Sequence, residues 1–122
     1  MSVDRQKLYE SSVEYFDLGG SVVMKLSRNA ALEVCGAAAG HDLLIVMIEG
    51  GIKDQRGFEA RLDAIWKGAD PPANHDLAER NNAEAADFIR SQDALYNAFI
   101  VTDAPLTGYR HRAAAAPAPG RN

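Results

Sequence analysis

The unbroken apolar run Leu43-Leu-Ile-Val-Met-Ile48 constrains this chain more than any other feature. Six consecutive apolar residues leave no polar face, so the segment must be covered on both sides, as in a sheet packed between helices. The run is far short of the ~20 residues that cross a bilayer, so no membrane partner is expected. Upstream, Ser21–Leu26 alternates Val22, Met24 and Leu26 onto one face, which predicts a strand. Between the two, Ala30–Ala39 is rich in alanine and leucine, with Ser27 or Asn29 as a cap and Gly40 as a stop, which predicts a helix. Strand, helix and strand then form a βαβ unit.

The flanking segments extend this pattern. Leu8, Tyr9, Val13 and Phe16 form a stripe that predicts a helix over Ser2–Leu18, stopped by Gly19-Gly20, with a strand at Val13–Leu18 as the rival reading. Glu49-Gly50-Gly51 closes the central strand. Phe58, Leu62, Ile65 and Trp66 then predict a short helix over Phe58–Lys67. Pro71 and Pro72 keep the next stretch from being helical, and Asp76 with Glu79 has the spacing that opens a helix running to about Ser91. Tyr96–Thr102 predicts the last strand. The order α-β-α-β-α-α-β predicts an α/β fold: a small three- to four-stranded, mostly parallel sheet with flanking helices. The expected core is Val22, Met24, Leu26, Leu32, Leu44, Val46, Ile48, Leu62, Ile65, Phe88, Ile89, Phe99 and Val101.

At 122 residues the chain has room for one domain. That domain is expected over 1–109, with 110–122 an Ala/Pro/Arg tail without large apolar residues and expected to be disordered. The net charge is −4, but Arg110, Arg112 and Arg121 lie in a tail without acids, so residues 1–109 carry −7. Such a body repels phosphate backbones, which excludes nucleic acid as the expected partner, and it attracts basic proteins. One cysteine, Cys35, and no basic-then-apolar leader predict a reducing cytoplasm.

No residue pattern names a reaction. Cys35, His41 and Asp42 supply the residue types of a thiol triad, but Cys35 falls on a buried helical face, where the thiolate is disfavoured. His75 and Glu79 are four apart, yet a zinc site needs further ligands that the sequence does not supply, so neither metal nor cofactor is expected. No glycine pair fits a phosphate-cradling loop. The enzymatic or small-ligand alternative rests on Glu49-Gly50-Gly51, placed by prediction at the carboxyl end of a strand, where α/β sheets bind ligands.

The segment from Glu49 to Asp76 carries the stronger signal. Acids including Asp54, Glu59, Asp63 and Asp70 surround Phe58 and Trp66, and His75 closes the segment. Carboxylates around aromatics suit a surface that binds a basic protein. Here Leu62-Asp63-Ala64-Ile65-Trp66 is similar to a helical stretch of the barstar family of intracellular ribonuclease inhibitors. That resemblance implies a three-stranded parallel sheet with helices and an inhibitory carboxylate at Asp63, with Glu59 nearby. Lys67 stands where the barstar pattern has an acid, and the second strand precedes this helix instead of following it. The resemblance therefore points to the broader class of cytoplasmic immunity proteins that neutralise bacterial toxins. The expected partner-binding residues are Asp54, Glu59, Asp63, Asp70 and His75, facing a basic nuclease toxin.

Overall fold

The computed structural model describes residues 7–18 and 23–108. In chain order it contains helix α1 (Ser12–Asp17), strand β1 (Val23–Ser27), helix α2 (Arg28–Ala37), a 3-10 turn (Ala38–His41), strand β2 (Leu43–Asp54), strand β3 (Gly57–Lys67), helix α3 (His75–Ser91) and strand β4 (Ala98–Pro105). The strands form one sheet in the order β1-β4-β2-β3, and every neighbouring pair is antiparallel.

The expected mostly parallel sheet is therefore wrong, for two reasons. β1 and β2 do run in the same direction across α2, as the βαβ reading required, but β4 lies between them and runs against both. The expected helix Phe58–Lys67 is instead β3, joined to β2 by the turn at Asp54–Gly57. A direct hairpin leaves no crossover and so must be antiparallel. The expected tail at 110–122 and the core residue Val22 lie outside the described residues.

The main core gathers Met24 and Leu26 of β1, Ile45 and Ile48 of β2, and Phe99 and Val101 of β4 against Ala30, Ala31 and Val34 of α2 and Ala85 and Ile89 of α3. Leu44 and Val46 are buried in a smaller cluster with Ala39, Ala78 and Ala104. Leu32 and Phe88 are half-buried against the main core. Leu62 and Ile65, expected inside, are 90% and 42% exposed, because the helical stripe they were placed on does not exist. Gly50 is required by packing: a Cβ there would lie 2.9 Å from the Phe99 ring and 3.2 Å from Ala64 Cβ.

Of the helix expected over Ser2–Leu18, residues 2–6 lie outside the described residues, and within 7–18 only α1 is helical. Ahead of it, Tyr9 bridges in parallel to Leu26: its N–H donates to Lys25 O at 2.9 Å, and its carbonyl accepts from Ser27 N at 2.9 Å. This short stretch covers part of the β1 edge. Ser27 caps α2 as expected, accepting from Ala30 N at 3.2 Å.

The first residues of β2 pose a backbone problem. Pairing with β3 reaches only as far as Met47–Lys67, so Leu43 to Val46 have no strand on that side. Two buried asparagines of α3 replace it. Asn82 Oδ1 accepts from Ile45 N at 3.0 Å and Asn82 Nδ2 donates to Leu43 O at 3.1 Å. Asn81 Nδ2 donates to Ile45 O at 2.9 Å, and Asn81 Oδ1 accepts from Ala69 N at 2.8 Å. Gly68 N donates to Val46 O at 3.0 Å and completes the seal.

Candidate partner-binding surface

β3 is an edge strand, and its side away from β2 has no strand partner among the described residues. Its register breaks between Ala60–Gly51 and Ile65–Glu49, so Arg61, Leu62, Asp63 and Ala64 bulge opposite Gly50. The bulge turns Ala64 into the core and thrusts Leu62 into solvent. An edge that carries charged residues and a bulge resists indiscriminate strand pairing, so its outward side chains are free to serve recognition.

The expected binding residues fall into two groups. Asp54, Glu59 and Asp63 share the β2–β3 hairpin. Asp54 Oδ1 accepts from Arg56 N at 2.8 Å, and its other oxygen pairs with Arg56 Nη2 at 3.1 Å. These Arg56 hydrogen bonds hold the exposed Asp54 carboxyl below the usual carboxylate range. Glu59 lies 3.6 Å from Arg61. Asp63 accepts the Tyr96 hydroxyl at 3.1 Å on Oδ1 and 3.4 Å on Oδ2.

Asp70 and His75 lie at the other end of the sheet, where β2 begins. Asp70 is exposed in the connection between β3 and α3. His75 opens α3 with its ring nitrogens 3.9 Å from Asp42 and 3.9 Å from Glu79. His75 also lines a groove of about 710 Å³ between α3 and the α2–turn segment, which includes Cys35, His41, Glu79, Asp87 and Arg90. The structure therefore joins three of the five expected residues and separates the other two from them.

The chemical alternatives lose their geometry. Glu49-Gly50-Gly51 sits inside β2 and not at a strand end: Glu49 and Gly51 pair with both β3 and β4, and Gly50 pairs with Phe99 of β4. Gly50 and Gly51 are buried, and a Cβ on Gly51 would collide with the Glu59 carbonyl. Burial pushes the Cys35 thiol up to about 12, against a smaller opposing effect of Arg90, so its thiolate is scarce at neutral pH. His41 is stacked on Phe16, with ring centroids 3.9 Å apart.

Tyr96 escaped the sequence reading, because it lies 33 positions from Asp63 and no local pattern connects them. The turn that holds it is fixed by Arg28 at the start of α2. Its guanidinium donates to Ile89 O at 2.7 Å, Asp93 O at 2.6 Å and Tyr96 O at 2.9 Å. Leu95 in the same turn is 72% exposed. The hairpin and this turn thus carry the exposed Leu62 and Leu95 and the hydrogen-bonded Asp63 carboxylate.

A small acidic domain with a charged, bulged sheet edge and no assembled catalytic or metal set among the described residues has the surface expected of a protein-binding domain. The relatives give that class a family. Residues 24–104 match the family described as Colicin-E5 Imm protein. The chain is 51% identical over 109 residues to "Immunity protein CdiI" of Burkholderia pseudomallei, covering 89% of this chain and 100% of that protein. It is 38% identical over 80 residues to the "Colicin-E5 immunity protein" of Escherichia coli, covering 65% of this chain and 96% of that one. The E. coli "Colicin-E5 immunity protein in ColE9" matches to the same extent. The chain belongs to the colicin-E5 immunity protein family and is an immunity protein of a bacterial toxin. The immunity-protein class named by the sequence is right, while the barstar-like parallel sheet is not. No helix among the described residues is long and apolar enough to cross a membrane.

Proposed function

We propose that this immunity protein works in the cytoplasm as a non-enzymatic inhibitor that covers a basic nuclease toxin with its β2–β3 hairpin, through Asp54, Glu59 and Asp63. The observation that carries this reading is the β3 bulge, which exposes Leu62 to 90%, next to Asp63 in sequence, on a sheet edge with no strand partner among the described residues. An exposed leucine on a rigid strand supplies the apolar anchor, and flanking carboxylates supply attraction to a cationic site. The −7 charge of residues 1–109 supports the basic partner, since it speeds encounter with one. Family membership supports the toxin; the names of the relatives do not specify its chemistry.

The test is capture of the toxin domain from the native host by the tagged full chain, followed by nuclease assay and affinity measurement. A basic nuclease, recovered in stoichiometric amount and silenced by the chain, is the expected result. Leu62→Ala and Asp63→Ala should each weaken the complex by about tenfold or more while the free protein melts normally. Full affinity in both variants would remove the hairpin from the interface and leave the groove beside His75 as the binding surface.

A further inference from the structure

We infer that Tyr96 is a positioning residue of the toxin interface, holding the Asp63 carboxylate in place to receive a guanidinium from the partner. This rests on the reading that the β3 bulge faces the toxin. The Tyr96 hydroxyl lies within 3.1 Å and 3.4 Å of the two Asp63 oxygens, so it restrains the carboxylate plane without consuming its outer lone pairs. An aspartate on an exposed strand otherwise samples several rotamers, and ordering it during binding costs conformational entropy.

The restraint is itself anchored. Tyr96 packs part of its ring against the main core. The three Arg28 hydrogen bonds tie its backbone turn to the end of α3. Asp63 is thereby fixed from a second element of the fold, not only from its own strand. The contact also leaves a mark on the phenol: partial burial and then the Asp63 hydrogen bond raise Tyr96 above the ordinary tyrosine range, with Arg61 acting in the opposite direction.

The partner group follows from the surroundings. Leu62 adjoins the carboxylate in sequence, and Leu95 adjoins Tyr96; both are exposed. A planar, weakly hydrated guanidinium matches two carboxylate oxygens and tolerates apolar neighbours. A strongly hydrated ammonium suits such a rim less well.

The experiment uses the full chain and the toxin domain it captures, with Tyr96→Phe, Asp63→Asn and the double variant. Each variant is first checked for an unchanged melting temperature. Asp63→Asn should weaken affinity by well over tenfold and Tyr96→Phe by about fivefold to tenfold. The double variant should bind no worse than Asp63→Asn alone, because the phenol acts only through the carboxylate. Independently of any toxin, Asp63→Asn should move the phenol titration of Tyr96 down toward the ordinary value. Wild-type affinity for Tyr96→Phe alongside a weakened Asp63→Asn would overturn the positioning role and leave the interface standing. Wild-type affinity for Asp63→Asn and Leu62→Ala together would overturn the interface itself. Additive losses in the double variant would show that Tyr96 contacts the toxin directly and would also overturn the positioning role.

Discussion

The two ends of β2 meet the same physical problem and solve it differently. At Leu43–Val46 the strand lacks a β3 neighbour, and α3 closes the edge with Asn81 and Asn82, both buried. From Met47 onward β3 closes it, and the edge passes to β3, which is bulged and has no further strand partner among the described residues. The first solution removes backbone groups from water and pairs the Ile45 N–H and the Leu43, Ile45 and Val46 carbonyls. The second leaves charged and apolar side chains facing outward. Polar side chains in the first region therefore serve stability, and those in the second are the ones we propose to serve binding.

Substitutions at the two ends separate these roles. Asn82→Ala should produce the largest loss. It strands the Ile45 N–H and the Leu43 carbonyl in the interior, and each buried unsatisfied group costs about 1–3 kcal/mol, for a total of about 3–5 kcal/mol in urea unfolding. Its folded fraction should still bind toxin with full affinity. Asp63→Ala should behave the opposite way. Stability should change by less than ~1 kcal/mol, as for other exposed contacts, while affinity falls by about 2–5 kcal/mol through the cation left unpaired.

Smaller effects sharpen the contrast. Val46→Ala removes buried methyl groups beside the asparagine seal and should cost about 1–3 kcal/mol with no change in affinity. Alkali should weaken the core. The Cys35 thiol rises from its ordinary 9.0 to about 12 in the folded protein, so the neutral form stabilises the fold below pH 9. That stability is lost as pH climbs from 9 toward 12, by on the order of 1 kcal/mol per pH unit, and Tyr15, raised chiefly by burial and next by Asp103, adds to the loss above pH 10. Urea unfolding across pH 7–11 would measure it, and a Cys35→Ala variant should show a shallower decline. His75→Gln should have the smallest effect, under ~0.5 kcal/mol on either property, because its two contacts are exposed and 3.9 Å long.

What the sequence made legible follows the range of the forces involved. The run Leu43–Ile48, the alanine-rich α2, the body of α3 and the last strand are each set by local composition and are legible in the sequence, whereas β2 continues through Glu49-Gly50-Gly51 to Asp54 and the cap of α3 is Asn74, not Asp76. β3 was missed although its pattern is present: Phe58, Ala60, Leu62, Ala64 and Trp66 alternate with Glu59, Arg61, Asp63, Ile65 and Lys67. Phe58, Leu62, Ile65 and Trp66 also fit a helical stripe, and only the pairing with β2 decides between the two. Sheet direction was likewise out of reach, since it depends on β4 returning between β1 and β2. At the candidate site the acids were visible one by one. Their division between two ends of the sheet, and the Tyr96–Asp63 contact, arise from tertiary structure alone.

Hydrogen exchange of the full chain with and without its toxin tests the central claim most directly. Toxin should slow exchange in Gly57–Lys67 and around Tyr96, while amides lining the α2–α3 groove near His41, His75 and Glu79 keep their free rates. Slowed exchange in that groove, with Gly57–Lys67 unchanged, would contradict it.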